Sequence, residues 1–241
     1  MKPRAVLKNQ SGVTLLELLI ATIMIGILAV VVSGFYVNRL IDYARTNTLL
    51  ILQSNTKQAL ESVQRDIKSA QTIETTNQWP DANGPGGDSY GWHSNNASPS
   101  TLVLALPVTD ASDTLQYVDS THAALQTSDV IYYVDSASKS LYRRVVANPI
   151  CLASQGGSGT VNCSMRTTCP PAAASANCPA DGKVIEDVAN MTAQYYDTND
   201  ASTANVNNIY SVDITLTQSR AKFGKTYTNS LTSRSTLRNK P

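Results

Sequence analysis

The alternation of apolar and polar positions divides the chain into a long helical part and a strand-rich part. Leu18 to Asn38 is a run of 21 residues without a charge, and at 1.5 Å per helical residue it reaches ~31 Å, the hydrocarbon thickness of a bilayer. Beyond it, Leu49, Leu52, Thr56, Ala59, Leu60, Val63, Ile67 and Ala70 recur at spacings of three and four, with Lys57, Glu61, Arg65, Asp66 and Lys68 on the other faces. That period is helical and amphipathic. No proline occurs from Val13 until Pro80, so the pattern predicts one helix from Val13 to about Gln71, roughly 88 Å long. Pro80, Gly84, Pro85, Gly86, Gly87, Gly91 and Pro99 then open a loop.

Downstream the period shortens to that of strands. Thr101 to Val108 is a short apolar run, and Asp129 to Asp135 and Ser140 to Val146 flank a polar four-residue turn as a β-hairpin. Further strands are expected at Met191 to Tyr196, Ile209 to Thr217 and Leu231 to Leu237. They are expected to form one antiparallel sheet covered by the amphipathic half of the helix, an α+β fold in which both elements bury their apolar faces.

Composition narrows the function classes. Charged residues make up only 15% and the formal net charge is +1, so a globally basic nucleic-acid binder and an acidic disordered tail are both excluded. His93 lies in the Gly-rich loop and His122 among Thr, Ala and Leu, with no nucleophile in a recognised motif nearby. Asp81-Ala82-Asn83-Gly84 resembles the start of a calcium loop, yet Pro85 stands where an oxygen ligand is wanted and no bidentate Glu follows. Accordingly no catalytic residue, metal or cofactor is assigned, and the chain is expected not to be an enzyme.

The flanks of the apolar run decide what the helix is for. Lys2, Arg4 and Lys8 precede it without an acid, against Arg39, Asp42 and Arg45 after it, which places the N-terminus in the cytoplasm and the rest outside. A plain single-pass anchor and a signal peptide cut at Val32-Ser33-Gly34 both compete for this start, but the uncharged run is longer than a signal core and opens on a carboxylate. The string Gly12-Val13-Thr14-Leu15-Leu16-Glu17-Leu18-Leu19-Ile20 resembles the type IV prepilin processing motif, a basic leader ending in Gly with Glu at the fifth following position. Val13 stands where that family most often has Phe.

The resemblance implies cleavage after Gly12 by a membrane prepilin peptidase, methylation of the new amine on Val13, and assembly into a filament with Glu17 as the assembly residue. Physics supports the last role. A carboxylate in an apolar helix costs ~2.5–3.5 kcal/mol at mid-bilayer on insertion scales, and cleavage frees an α-amino group four residues upstream that offsets it when helices pack away from water. Residues Ile131-Tyr132-Tyr133, Leu141-Tyr142-Arg143-Arg144, Tyr195-Tyr196-Asp197, the strand Val212 to Leu216 and the closing Leu237-Arg238-Asn239 are similar in order to minor pilins of type W and minor pseudopilins of type J. In this subgroup the resemblance implies a low-abundance subunit that initiates or caps a filament. The implied partners are prepilin peptidase, major and other minor pilins or pseudopilins, the assembly platform of the cytoplasmic membrane, and membrane lipid before assembly.

The expected organisation is therefore a leader at 1–12, a membrane and filament-core helix at 13–37, an amphipathic half at 38–71, and an extracytoplasmic β domain at 72–241. Cys151, Cys163, Cys169 and Cys178 fall in one segment of that domain, none at zinc-knuckle spacing. Outside the cytoplasm they read as two disulfides stapling the loop 151–178, with three pairings open. From Gln218 onward Arg220, Lys222, Lys225, Arg234, Arg238 and Lys240 occur without an acid, while residues 13–217 hold 10 basic against 18 acidic side chains. This basic end is read as a solvated face or a dock for an acidic neighbouring subunit in preference to a DNA contact.

Overall fold

The computed structural model describes residues 14–95, 100–122, 124–205, 208–222 and 224–237. A single helix, α1, runs Leu15–Ser69 and passes Gly26 and Gly34 without a break. Residues 1–48 and 49–241 are two compact units, and α1 contributes to both. In the second unit the predicted stripe is the buried one: Leu52, Thr56, Ala59, Leu60, Val63, Ile67 and Ala70 are all nearly inaccessible, while Lys57, Glu61, Arg65 and Lys68 face outward. Asp66 departs from its polar neighbours. It is half-buried and accepts hydrogen bonds from Tyr132 Oη at 2.7 Å and Arg143 Nε at 2.6 Å.

The strands are β1 (Thr72–Ile73), β2 (Leu102–Pro107), β3 (Thr127–Asp135), β4 (Ser140–Val146), β5 (Gly182–Ile185), β6 (Val188–Tyr196), β7 (Ser211–Lys222) and β8 (Lys225–Thr236). The sequence pattern predicts one sheet; the chain forms two. One has the order β1-β2-β3-β4-β5 and the other β6-β7-β8, all pairs antiparallel. The break falls at Asp187, whose φ of 58° turns the chain out of the first sheet directly after β5. The edge of β6 away from β7 meets Ser100 instead of a strand: Ser100 N donates to Met191 O at 2.7 Å, and Ala193 N to Ser100 Oγ at 3.0 Å.

Both sheets nevertheless share one core. Leu102, Leu104, Val130, Tyr132, Leu141 and Val145 from the first, and Met191, Ala193, Tyr195, Val212, Ile214 and Leu216 from the second, cluster with Leu60, Val63 and Ile67 of α1. Alternation along β6 and β7 leaves the other face of that sheet to Thr192, Thr215 and Thr232 in one rank and Asn190, Thr217 and Ser230 in the next. Thr56, an apparent interruption of the apolar stripe, is a polar tie. Its hydroxyl lies 2.7 Å from both Leu52 O and Gln218 Oε1, and it accepts from Asn229 Nδ2 at 3.1 Å.

The β7–β8 pair extends well past the strands read from the sequence. Between Thr217 and Leu231 the apolar alternation gives way to Gln, Ser, Thr and Asn, yet the ladder continues to Lys222↔Lys225. Polar side chains hid it, because in this segment hydroxyl pairs such as Thr217–Ser230 (3.0 Å) replace apolar contacts on the outer face. At the hairpin tip Gly224 has a φ of 72°, a conformation that costs glycine little.

Candidate functional site

The N-terminal end of α1 closes a reciprocal capping box. Thr14 N–H and Thr14 Oγ1 donate to Glu17 Oε2 at 3.1 and 3.2 Å, and Glu17 N–H donates to Thr14 Oγ1 at 3.2 Å. Two orphan amides of the first turn are satisfied in this way, and the carboxylate lies where the helix dipole favours negative charge. The Thr-x-x-Glu signature of such a box is present in the sequence at Thr14 and Glu17. Gly12 and Val13, the expected processing residues, lie outside the described residues. From Leu15 to Tyr43 the large apolar side chains are exposed, Leu15 by 85% and Val30 by 74%. By length and composition this helix can cross a membrane. Within it Thr22 Oγ1 donates to Leu19 O at 2.9 Å, so its hydroxyl needs no water.

The second unit places the other candidates. The pairs are Cys151–Cys163 and Cys169–Cys178, with Cα separations of 5.5 and 5.6 Å. The first is packed with Val108 and Ala147, and the strand-like crossing beside it brings Gly159 so close to Ile150 O that a Cβ would sit 2.1 Å from it. Of the basic residues, Arg220 is bound to Asp187 (Nη2–Oδ2 2.5 Å), and Arg234 holds Asp213 and Asp200, each at 2.6 Å, beneath the ring of Tyr196. Lys225 is exposed at the hairpin tip, whereas Arg238 and Lys240 lie outside the described residues. His93 and His122 are both exposed.

The strongest polar constellation was not visible in the sequence. Arg144 on β4 is fully buried and grips Asp81 through Nε (2.6 Å) and Nη2 (2.7 Å), while Nη1 reaches Asp181 at 3.0 Å. Trp92 Nε1 donates to the same Asp81 at 2.7 Å, and Tyr133 Oη and Thr168 Oγ1 donate to Asp181 at 2.7 and 2.6 Å. Burial would raise the Asp81 carboxyl, but hydrogen bonds from Arg144, Asn83 and Trp92 outweigh it and hold the group below its ordinary range. Asp81, which opens the stretch that resembles a calcium loop, is thus held in a guanidinium clamp. The clamp fastens the Gly-rich loop and the end of the disulfide segment to the first sheet.

Residues 7–33 match the prokaryotic N-terminal methylation motif. The chain carries the type IV pilin signature. Among curated proteins none matches the chain. In this pilin-like chain the motif implies processing by prepilin peptidase and assembly with other pilins, and it is a motif of structural subunits. The fold agrees with that class: one long N-terminal helix, apolar in its first half, and a domain of antiparallel sheets.

One buried acid of the pilin-like domain gives its stability a pH dependence. Asp129 on β3 is fully buried; its Oδ2 accepts from the amides of Gln78 (2.8 Å) and Trp79 (3.0 Å), and its Oδ1 has no partner. Burial pushes this carboxyl up to about 7, helped by nearby Glu74 and opposed by the two amides. An acid with a raised folded-state pKa contributes stability that is complete below its unfolded value and is lost as the pH climbs through the folded one. Stability from this group should therefore fall between about pH 4 and 7, by roughly 4 kcal/mol. Asp129→Asn should gain on the parent by that amount between pH 4 and pH 8 in denaturant titrations. Equal pH dependence in the two proteins would show that Asp129 does not titrate there.

Proposed function

We propose that the chain is a low-abundance structural subunit of a type IV pilus or type II secretion pseudopilus, acting where the filament is initiated or at its tip. The observation that carries this reading is the juxtaposition of the methylation motif with a capped, uninterrupted apolar helix. Cleavage after Gly12 would leave Val13 as the cationic terminus, with Thr14 and Glu17 at the head of the packing helix. Before assembly the helix spans the cytoplasmic membrane, with the N-terminus inside; afterwards it packs with other subunits and the sheets face outward. The order of aromatic and basic residues along the strands supports the minor rather than the major type. That Arg220 and Arg234 are committed to carboxylates favours a docking or solvated face over a phosphate contact, since a paired cation has little left to offer DNA.

Terminal sequencing of the chain from its native membrane tests the reading. Val13, carrying a methyl group, is the expected first residue, and the chain should co-purify with sheared filaments at a small ratio to their main subunit. Met1 would make it a plain anchor, and Phe35 a secreted domain.

A further inference from the structure

A groove of about 390 Å³ opens on the first sheet of the domain, between the segment that follows β1 and the loop that enters β3. Trp79 lines it and is held rigidly: its indole N–H donates to Thr127 O at 2.8 Å, its backbone N–H to Asp129 Oδ2, and it packs against the cluster of Trp92, Val103, Ile131 and Val146. Around it stand carboxamides whose oxygens each already accept one hydrogen bond. Gln78 Oε1 accepts from Thr127 Oγ1 at 3.0 Å, and Gln126 Oε1 accepts from Asn148 Nδ2 at 3.0 Å. Each NH2 group thereby keeps two donors available for a ligand. Glu74 accepts from the Thr72 hydroxyl and retains acceptor capacity on its carboxylate. Val118, 60% exposed, adds an apolar wall.

The geometry points to a binding site for a neutral, polyhydroxylated ring, a sugar unit of a glycan, seated on Trp79 and hydrogen-bonded by Gln78, Gln126 and Glu74. The aromatic face is apolar and carries partial negative charge, which suits the C–H face of a pyranose. Amide donors and a carboxylate acceptor together match adjacent hydroxyls, each of which can accept one hydrogen bond and donate another. Formal charge selects against the alternatives. Among the described residues no cation lines the groove and one carboxylate does, so phosphate, sulfate and sialic acid are disfavoured, while a single half-buried acid is too little to hold a metal ion. The volume falls within the range of small-ligand sites, and the anchoring of Trp79 means that little has to be ordered on binding. This inference does not depend on how the N-terminus is processed.

Saturation-transfer NMR on the detergent-solubilised full-length chain tests it, with glucose, galactose, mannose, N-acetylglucosamine and their disaccharides as probes. The expected result is transfer to the ring C–H protons of at least one neutral saccharide. Trp79→Ala should weaken that binding about thirtyfold. Gln78→Ala, at an exposed position, should weaken it about fivefold; it also removes the partner of the Thr127 hydroxyl, so circular dichroism checks that the variant is folded, and it carries the test if the tryptophan variant does not fold. The inference is overturned if no neutral saccharide receives saturation, if sialylated or phosphorylated sugars bind better than neutral ones, or if binding survives Gln78→Ala undiminished.

Discussion

Replacing Arg144 by Met should destabilise the domain by about 3–5 kcal/mol, the range seen when one partner of a buried ion pair is removed. The side chain is fully buried, and Asp81 and Asp181 are almost equally so. Taking the guanidinium away leaves two carboxylates in a dry site with the Asn83 amide, Trp92, Tyr133 and Thr168 as their remaining donors. One or both must then take up a proton or draw in water. The loss should accordingly be larger at pH 8 than at pH 5, and Arg144→Met combined with Asp81→Asn and Asp181→Asn should recover part of it. Denaturant titration of the four proteins at two pH values measures both effects. A loss below 1 kcal/mol would mean that the clamp is a surface feature in solution.

Glu17→Gln should nearly abolish entry into filaments, even though it preserves the cap. The magnitudes separate two roles of this side chain. Loss of the capping interaction is worth about 1 kcal/mol, a fivefold effect. In the proposed filament, loss of the negative charge would leave a Val13 ammonium without a counter-charge among packed apolar helices, at a cost of about 3–5 kcal/mol, more than a hundredfold. Gln retains an oxygen to accept from Thr14 N–H and Oγ1 but carries no charge; Ala lacks both. If charge compensation drives assembly, Gln and Ala fail alike, as read from the amount of subunit in sheared filaments against that in membranes. If Gln enters as readily as Glu, the carboxylate acts only as a cap.

The sequence pattern identifies the elements whose physics is local. An uncharged run of membrane length, a three-four stripe and a proline-free stretch predict one helix from Val13 to about Gln71, and α1 is described from Leu15 to Ser69; β3 and β4 carry enough alternating apolar side chains to stand out. What it does not reveal depends on contacts distant in sequence. The division into two sheets turns on one left-handed residue, Asp187, in a position where Asp carries no mark distinguishing it from an ordinary loop acid. The clamp joins residues 81, 144 and 181, and nothing in spacing relates them. Trp79 sits in the loop Asn77-Gln78-Trp79-Pro80, where a large aromatic among turn formers is a signal, but a signal of burial as much as of binding. The head of α1 is the reverse case, since the string Gly12 to Ile20 singles out Glu17 and the structure adds Thr14 as its partner.

Both cystine bridges close inside residues 151–178, ahead of every strand of the β6-β7-β8 sheet. Under the proposed export of everything C-terminal to the apolar helix, that order has a kinetic meaning. Oxidation of this hoop requires no residue that emerges later, so an oxidase on the far side can finish its work while the last three strands are still in transit. Neighbouring thiols along the thread meet first, and closing such short loops costs little chain entropy. The final sheet then arrives beside a region that is already covalently set, which protects late folding from thiol scrambling.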